Sequence, residues 1–284
     1  MMRKLIFFFL IGILFLSCQE YGTDNLFYRD NTVDNRVNKL EDITESFFET
    51  LPEKYSFIII TDLHYGSVKK NPPKLPDKQF FEWLEKFDDS EKPAFCLCLG
   101  DVADTGSSSQ FKEFEELVEK LEEKGIRVLN SLGNHDLYNS GWEGWNATCY
   151  PYSSFYTFRT SSYSFYSLDT GSGDIGVNQM DVLISALKND PRPKIIFTHY
   201  PLYTEKFFFN FDNTTDRNLL ISYFSKCNVK MYLSGHLHKY EDYDFGSFQT
   251  YVIPSYRYNS AWALVNVNEK TQTYTLERIK TVAN

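Results

Sequence analysis

Five apolar runs recur along the chain: "SFIII" (56–60), "AFCLCL" (94–99), "IRVLNSL" (126–132), "KIIFT" (194–198) and "VKMYLS" (229–234). None alternates cleanly between apolar and polar residues, which predicts strands buried on both faces. Helical patterns lie between them. "SSSQFKEFEELVEKLEEKG" (107–125) opens on serines able to cap a helix, carries lysines late and stops at Gly125. "DVLISALKND" (181–190) and "NLLISYFSKCN" (218–228) are shorter versions. Strand and helix in alternation predict a layered α/β fold with a largely parallel sheet at its centre. Towards the end, "FQTYVIP" (248–254), "AWALVNV" (261–267) and "TYTLERI" (273–279) read as antiparallel strands suited to a second sheet. Upstream, Val37, Leu40, Ile43, Phe47 and Leu51 have the spacing of one face of a short helix ending near Pro52.

The first residues follow a different logic. Arg3 and Lys4 precede the apolar stretch Leu5–Leu16, which is too short for a comfortable membrane span and is followed by Ser17, Cys18 and polar sequence. This start resembles a bacterial lipoprotein signal, in which the cysteine becomes the lipidated first residue. Phe15 and Leu16 depart from the residues that such signals prefer, so ordinary cleavage, or none, is the alternative. The expected organisation is a signal peptide over 1–17, a tether and short N-terminal helix over 18–53, and one catalytic domain over 54–284. The expected location is outside the cytoplasm, on a bacterial membrane to which lipid on Cys18 holds the protein.

The formal net charge of -9 argues against a general nucleic-acid-binding surface. Cys96 and Cys98 sit in an apolar run and are expected to fill core space. Cys149 and Cys227 could pair in an oxidising compartment, which the sequence leaves open.

Chemistry concentrates where the strands end. The endings are "TDLH" (Asp62, His64), "GDVAD" (Asp101, Asp104), "GNHD" (Asn134, His135, Asp136), "THYP" (His199) and "GHLH" (His236, His238). Any one of these residues alone has a bland explanation as a turn former, a cap or a structural histidine. Yet the chain contains 5 histidines, and all of them stand at such ends. Ligand sites in open α/β sheets lie beyond the carboxyl ends of strands, so these groups are expected in one crevice. Carboxylates, imidazoles and a carboxamide without thiolate suit manganese, iron or zinc. The donors exceed the needs of one ion, which implies a pair of divalent or trivalent transition-metal ions.

In this order the motifs resemble the set of the calcineurin-like metallophosphoesterases. The resemblance implies a four-layer αββα sandwich with two mixed β-sheets and a dinuclear metal site at the strand ends. By that likeness Asp62, His64 and His238 hold one metal, Asn134, His199 and His236 hold the other, and Asp101 bridges both. His135 is then no ligand but the group that assists the leaving oxygen while a metal-bridging hydroxide attacks phosphorus. Asp136 would orient His135 or cap a helix.

Departures from subfamily patterns narrow the substrate. Protein Ser/Thr phosphatases of this superfamily have Asp-Arg-Gly and Gly-Asn-His-Glu where this chain has Asp104-Thr105-Gly106 and ends its third motif in Asp136. Purple acid phosphatases place a tyrosine at the position of Asp104. What remains is a small phosphomonoester or phosphodiester, nucleotides included. Tyr65 and Tyr200 adjoin ligands and are the expected substrate contacts. The aromatic stretches "GWEGW" (141–145), "YPYSSFYTF" (150–158) and "YTEKFFFNF" (203–211) read as inter-motif loops whose rings serve mainly as packing. The rival to an enzyme is a non-catalytic exported lipoprotein that uses the fold to bind a metal or a nucleotide.

Overall fold

The computed structural model describes residues 32–70, 72–205 and 213–281. The signal segment, Cys18 and most of the 203–211 stretch lie outside the described residues.

In chain order the elements are α1 Val33–Arg36, β1 Glu41–Asp42, α2 Ser46–Glu49, β2 Lys54–Ile60, α3 Asp77–Leu84, β3 Phe95–Cys98, α4 Ser108–Glu122 and β4 Arg127–Asn130. A 3-10 turn at His135–Ser140 leads to α5 Trp142–Thr148, β5 Tyr156–Arg159, β6 Ser164–Ser167, α6 Val177–Asn189, β7 Lys194–Phe197 and α7 Thr214–Lys226. The chain closes with β8 Val229–Ser234, β9 Glu241–Asp244, β10 Gln249–Val252, α8 Tyr256–Asn259, β11 Ala261–Asn268 and β12 Thr273–Lys280.

The strands form two mixed sheets, ordered β1-β5-β6-β7-β8-β10-β9 and β12-β11-β2-β3-β4. In the smaller sheet β2, β3 and β4 run parallel, and β11 and β12 complete it in antiparallel fashion. Of the late strands, β10 joins the larger sheet parallel to β8, while β11 and β12 belong to the smaller one.

The uninterrupted apolar runs follow from the layering. Phe57 and Ile59 of β2 and Phe95 and Leu97 of β3 face the other sheet, where they meet Phe158, Phe165, Ile195, Phe197 and Leu233. Their neighbours Ile58, Ile60, Cys96 and Cys98 face outwards against Phe80 of α3 and Phe111, Phe114 and Leu117 of α4. Beyond the larger sheet, Ile196 and Tyr232 pack against Leu183 and Leu187 of α6 and Leu220 and Phe224 of α7. With period 2 along each strand, both faces of each sheet become apolar. The order helix, sheet, sheet, helix is the expected αββα sandwich.

Two expectations change, and one open point is settled. Residues 34–51 do not form one helix. Val37 and Leu40 pack in the outer layer over the larger sheet, whereas Ile43, Phe47 and Leu51 pack between the sheets, so their helical spacing serves two layers. The segment instead gives two short helices and β1, which pairs in parallel with β5. Secondly, "YPYSSFYTF" is not all loop. It carries β5, and Phe158 stacks on Phe165 of β6 at 4.5 Å and 11°. Thirdly, Cys149 and Cys227 are free thiols in opposite outer layers, with both sheets between them.

No helix among the described residues is long and apolar enough to cross a membrane.

Candidate metal centre

The loops after β2, β3, β4, β7 and β8 open on one crevice. Backbone hydrogen bonds knit the first two together: Asp62 N–H donates to Gly100 O, His64 N–H to Asp101 O and Tyr65 N–H to Val102 O, at 3.0, 3.0 and 2.8 Å. The chain turns sharply in these loops. Asp62, His64, Asp101, His236 and His238 all have left-handed backbone, with φ of 55°, 49°, 51°, 71° and 52°. Each such residue costs about 1–2 kcal/mol relative to ordinary conformations. Strain repeated at five candidate ligands marks them as held for a purpose other than stability.

Two glycines make the approach possible. A Cβ on Gly133 would lie 2.1 Å from Asp101 N, and one on Gly235 would lie 2.0 Å from Thr61 Oγ1 and 2.7 Å from Asp62 Oδ2.

The donors gather into two sets, and His64, Asp101 and His135 form a third group where the two meet. In the first, His238 Nε2 is 3.1 Å from Asp62 Oδ1 and 3.1 Å from His64 Nε2. In the second, His199 Nε2 is 3.2 Å from Asp101 Oδ2 and 3.2 Å from His236 Nδ1. Asp101 Oδ2 also lies 3.9 Å from His64 Nε2, so this carboxylate stands between the sets.

These residues fit a pair of cations. Asp62 Oδ1 and Asn134 Oδ1 are buried without a hydrogen-bond partner, although His238 approaches the former. Buried oxygens left this way are costly unless something else binds them. Imidazole nitrogens facing each other at 3.1–3.2 Å are likewise arranged for a shared ion. The donor set, oxygen and imidazole without thiolate, matches manganese, iron or zinc.

Neighbouring groups fix the donors. Asp62 Oδ2 accepts from Thr61 Oγ1 at 2.8 Å and from His236 N–H at 3.1 Å. His199 Nδ1 donates to Leu99 O at 2.7 Å, which leaves Nε2 as the lone-pair donor. Asn134 Nδ2 donates to the Tyr138 hydroxyl at 3.3 Å.

His135 stands at the edge of the first set, its ring 4.7 Å from that of His64 and perpendicular to it. Its backbone N–H donates to Asp101 Oδ1 at 2.8 Å. Its Nδ1 donates to the backbone carbonyl of Asp104 at 2.7 Å, so Nε2 is left for proton exchange.

Asp136 does not touch that imidazole. Its buried carboxylate accepts from Ala103 N–H at 2.8 Å and from Gly133 N–H at 2.9 Å, stapling the second and third loops. The orienting role expected of Asp136 belongs to the Asp104 carbonyl.

Asp104 acts twice, because its Oδ1 also lies 3.2 Å from His64 Nδ1 and its Oδ2 accepts from Val68 N–H at 3.0 Å. Its place in "GDVAD" signalled proximity to the site, but not this role. Removing such a supporting carboxylate weakens metal binding by about 10–100-fold. Asp104→Ala is therefore expected to lose metal in that range, read by chelator competition. An unchanged affinity would contradict the assignment.

Of the expected substrate contacts, Tyr200 stacks on His236 at 4.0 Å and 25° and is half-buried. Tyr65 is a core residue, 6% exposed and packed 6.2 Å from Phe114, so its ring serves the core. Sequence reasoning missed Tyr258, which stacks on His238 at 5.1 Å and 25° and lies in no motif.

Charge completes the picture. Burial favours a neutral His199, yet the Asp101 carboxylate prevails and raises its pKa to about 9. Burial likewise opposes protonation of His238, but Asp62 raises it. Burial would also raise Asp62, and His238 beside it instead holds the carboxyl down at about 2. His236 is driven down to about 3 by burial and then by His199. Without metal, the second set thus holds a protonated His199 against Asp101, and in the first set Asp62 favours the protonated form of His238. A cation must displace that proton. Metal binding is expected to release protons at neutral pH, and apparent affinity is expected to fall as pH drops below about 9. Calorimetry in two buffers of different ionisation enthalpy measures the release, and pH-independent binding would contradict it.

Residues 55–240 match the family model of the calcineurin-like phosphoesterases. The chain belongs to this family. No curated protein sequence matches it. Among solved structures, a dimetal phosphatase from Danio rerio is similar in fold, with a TM-score of 0.60 at 12% identity over 81% of this chain and 99% of that one. A purple acid phosphatase from yellow lupin seeds gives 0.57 at 15% identity, over 82% of this chain and 55% of that one. The anchor in the inner membrane complex of Plasmodium gives 0.55 at 16% identity, over 81% and 89%. Family and donor geometry together support metal-dependent phosphoester hydrolysis.

Proposed function

We propose that the protein is an exported hydrolase of small phosphomonoesters or phosphodiesters, nucleotides included, held at a bacterial membrane by lipid on Cys18. The observation that carries the catalytic part is the pair of donor sets joined at Asp101, with His135 at the junction beside His64 and Asp101. Export and tethering rest on the apolar Leu5–Leu16 stretch and the cysteine that follows.

The residues divide the work. Asp62, His64 and His238 would hold one transition-metal ion, and Asn134, His199 and His236 the other, with Asp101 shared. When bound, such ions supply Lewis acidity towards phosphoryl oxygen and activation of water. His135 keeps its Nδ1 proton on the Asp104 carbonyl and presents Nε2. In protonated form it donates through Nε2 to the departing alcohol oxygen. The Asp104 hydrogen bond holds the ring in one orientation while that proton moves.

Nitrophenyl phosphate and its diester test the reading, on protein loaded in turn with manganese, zinc and iron. A folded, metal-loaded preparation inert towards both sinks it. His135→Ala is expected to lower turnover by about 10²–10⁴-fold with metal content intact. If that variant arrives without metal, His135 is a ligand and its assigned role is wrong. A purely binding protein has no need of His135 so placed.

A further inference from the structure

The loop after His64 is tied into the site. Asp104 holds Val68 N–H, and the hydroxyls of Ser67 and Tyr258 lie 2.8 Å apart. Tyr258 is fixed from below. The Ser255 hydroxyl accepts Tyr258 N–H at 3.0 Å and donates to the Asp62 carbonyl at 2.8 Å, so one serine sets both a metal-binding loop and this tyrosine. Arg257 reinforces the arrangement, donating to Leu63 O at 2.7 Å and Pro73 O at 2.9 Å.

The rings then run in sequence along one side of the crevice. His135 meets His64, and His64 lies 5.4 Å from Tyr258. On Tyr258 rests the Lys69 ammonium, 4.2 Å from the ring centroid. A cation on an aromatic face is held there by the ring quadrupole while its remaining N–H donors stay available. No carboxylate among the described residues forms an ion pair with Lys69, in an acidic chain of net charge -9.

We infer that Lys69, carried on the Tyr258 ring, recognises a second negative charge on the leaving group of the ester. The placement argues for the leaving-group side, since the row of rings starts at His135, the group assigned to the departing oxygen. The inference rests on the phosphoesterase reading and adds to it a substrate class, phosphoesters of alcohols that are themselves anionic. Ser67 and Tyr258 are positioning residues here, and Lys69 makes the contact.

Two inert probes test it: benzylphosphonate, and 4-carboxybenzylphosphonate, which adds one negative charge at the leaving-group end. Affinities are measured by calorimetry at low salt on the metal-loaded chain. Wild type is expected to bind the carboxylated probe about fivefold more tightly, the scale of a partly exposed ion pair. Lys69→Ala should abolish that preference and Lys69→Arg should keep it. Lys69 is exposed, so neither change threatens the fold. Equal affinities in wild type, no binding of either probe, or a preference that survives Lys69→Ala overturns the inference. Turnover of nitrophenyl phosphate by the same preparation separates the two readings. Its absence would sink hydrolysis, while the probe preference reports on Lys69 alone.

Discussion

Replacing Asp101 by Asn is expected to lower turnover by roughly a thousandfold or more and to empty the metal centre, with little effect on secondary structure. Asp101 is the one carboxylate placed between the donor sets, with His199 Nε2 at 3.2 Å and His64 Nε2 at 3.9 Å from the same oxygen. An amide keeps the shape but removes the negative charge that offsets the cations, and it offers only one oxygen. It also changes the partner of His199. Burial raises the Asp101 carboxyl's pKa, yet the His199 and His135 imidazoles outweigh burial and hold it well below the usual range. The amide cannot carry that charge, so protonated His199 would lose its counter-ion. Metal analysis, turnover and circular dichroism on one preparation check this. A variant retaining a full metal complement and more than a tenth of wild-type rate would contradict the bridging role.

The second large effect lies away from the crevice. Arg36→Ala is expected to destabilise the fold by about 3–5 kcal/mol, the range for leaving one member of a buried ion pair behind. Arg36 Nε and Nη2 each reach an oxygen of Asp169 at 2.9 Å, and both side chains are almost wholly buried. The guanidinium also lies 5.8 Å from the ring of Trp142. Asp169 accepts from Ser154 Oγ and Gly171 N–H as well, but neither neutralises its charge. Urea unfolding at unchanged m-value measures the loss. Arg36→Met combined with Asp169→Asn should recover part of it, because no unpaired charge then stays inside. A single-variant loss below about 1 kcal/mol would mean that Asp169 finds other compensation.

That ion pair shows where sequence reading stops. The parallel strands were legible because burial on both faces leaves apolar runs, as in "SFIII" and "KIIFT". The donors were legible because strand ends concentrate ligands and the histidines stand nowhere else. Contacts between distant segments left no such trace. Asp34 caps α6, accepting Asn178 N–H at 2.8 Å, yet in the sequence it looks like the start of its own helix. The Val37–Leu51 spacing imitated a helix because two layers happened to need residues three or four apart. β5 and β6, no shorter than β3 or β7, were hidden by serine and threonine among the aromatics, a composition shared with loops. The packing of Tyr65 was hidden for a related reason. Adjacency to His64 suggested substrate, but the next residue along a sharply turned backbone points into the core. Tyr258 is the reverse case, brought beside His238 by a short helix with no motif to announce it.

Hydrolysis at this centre requires the paired donor sets to hold two ions, and anomalous diffraction from crystals of the metal-loaded protein tests this most directly. Two peaks are expected, one beside Asp62, His64 and His238 and one beside Asn134, His199 and His236, with the Asp101 carboxylate between them. A single peak, or metal bound elsewhere with the Asp101 carboxylate free, would contradict it.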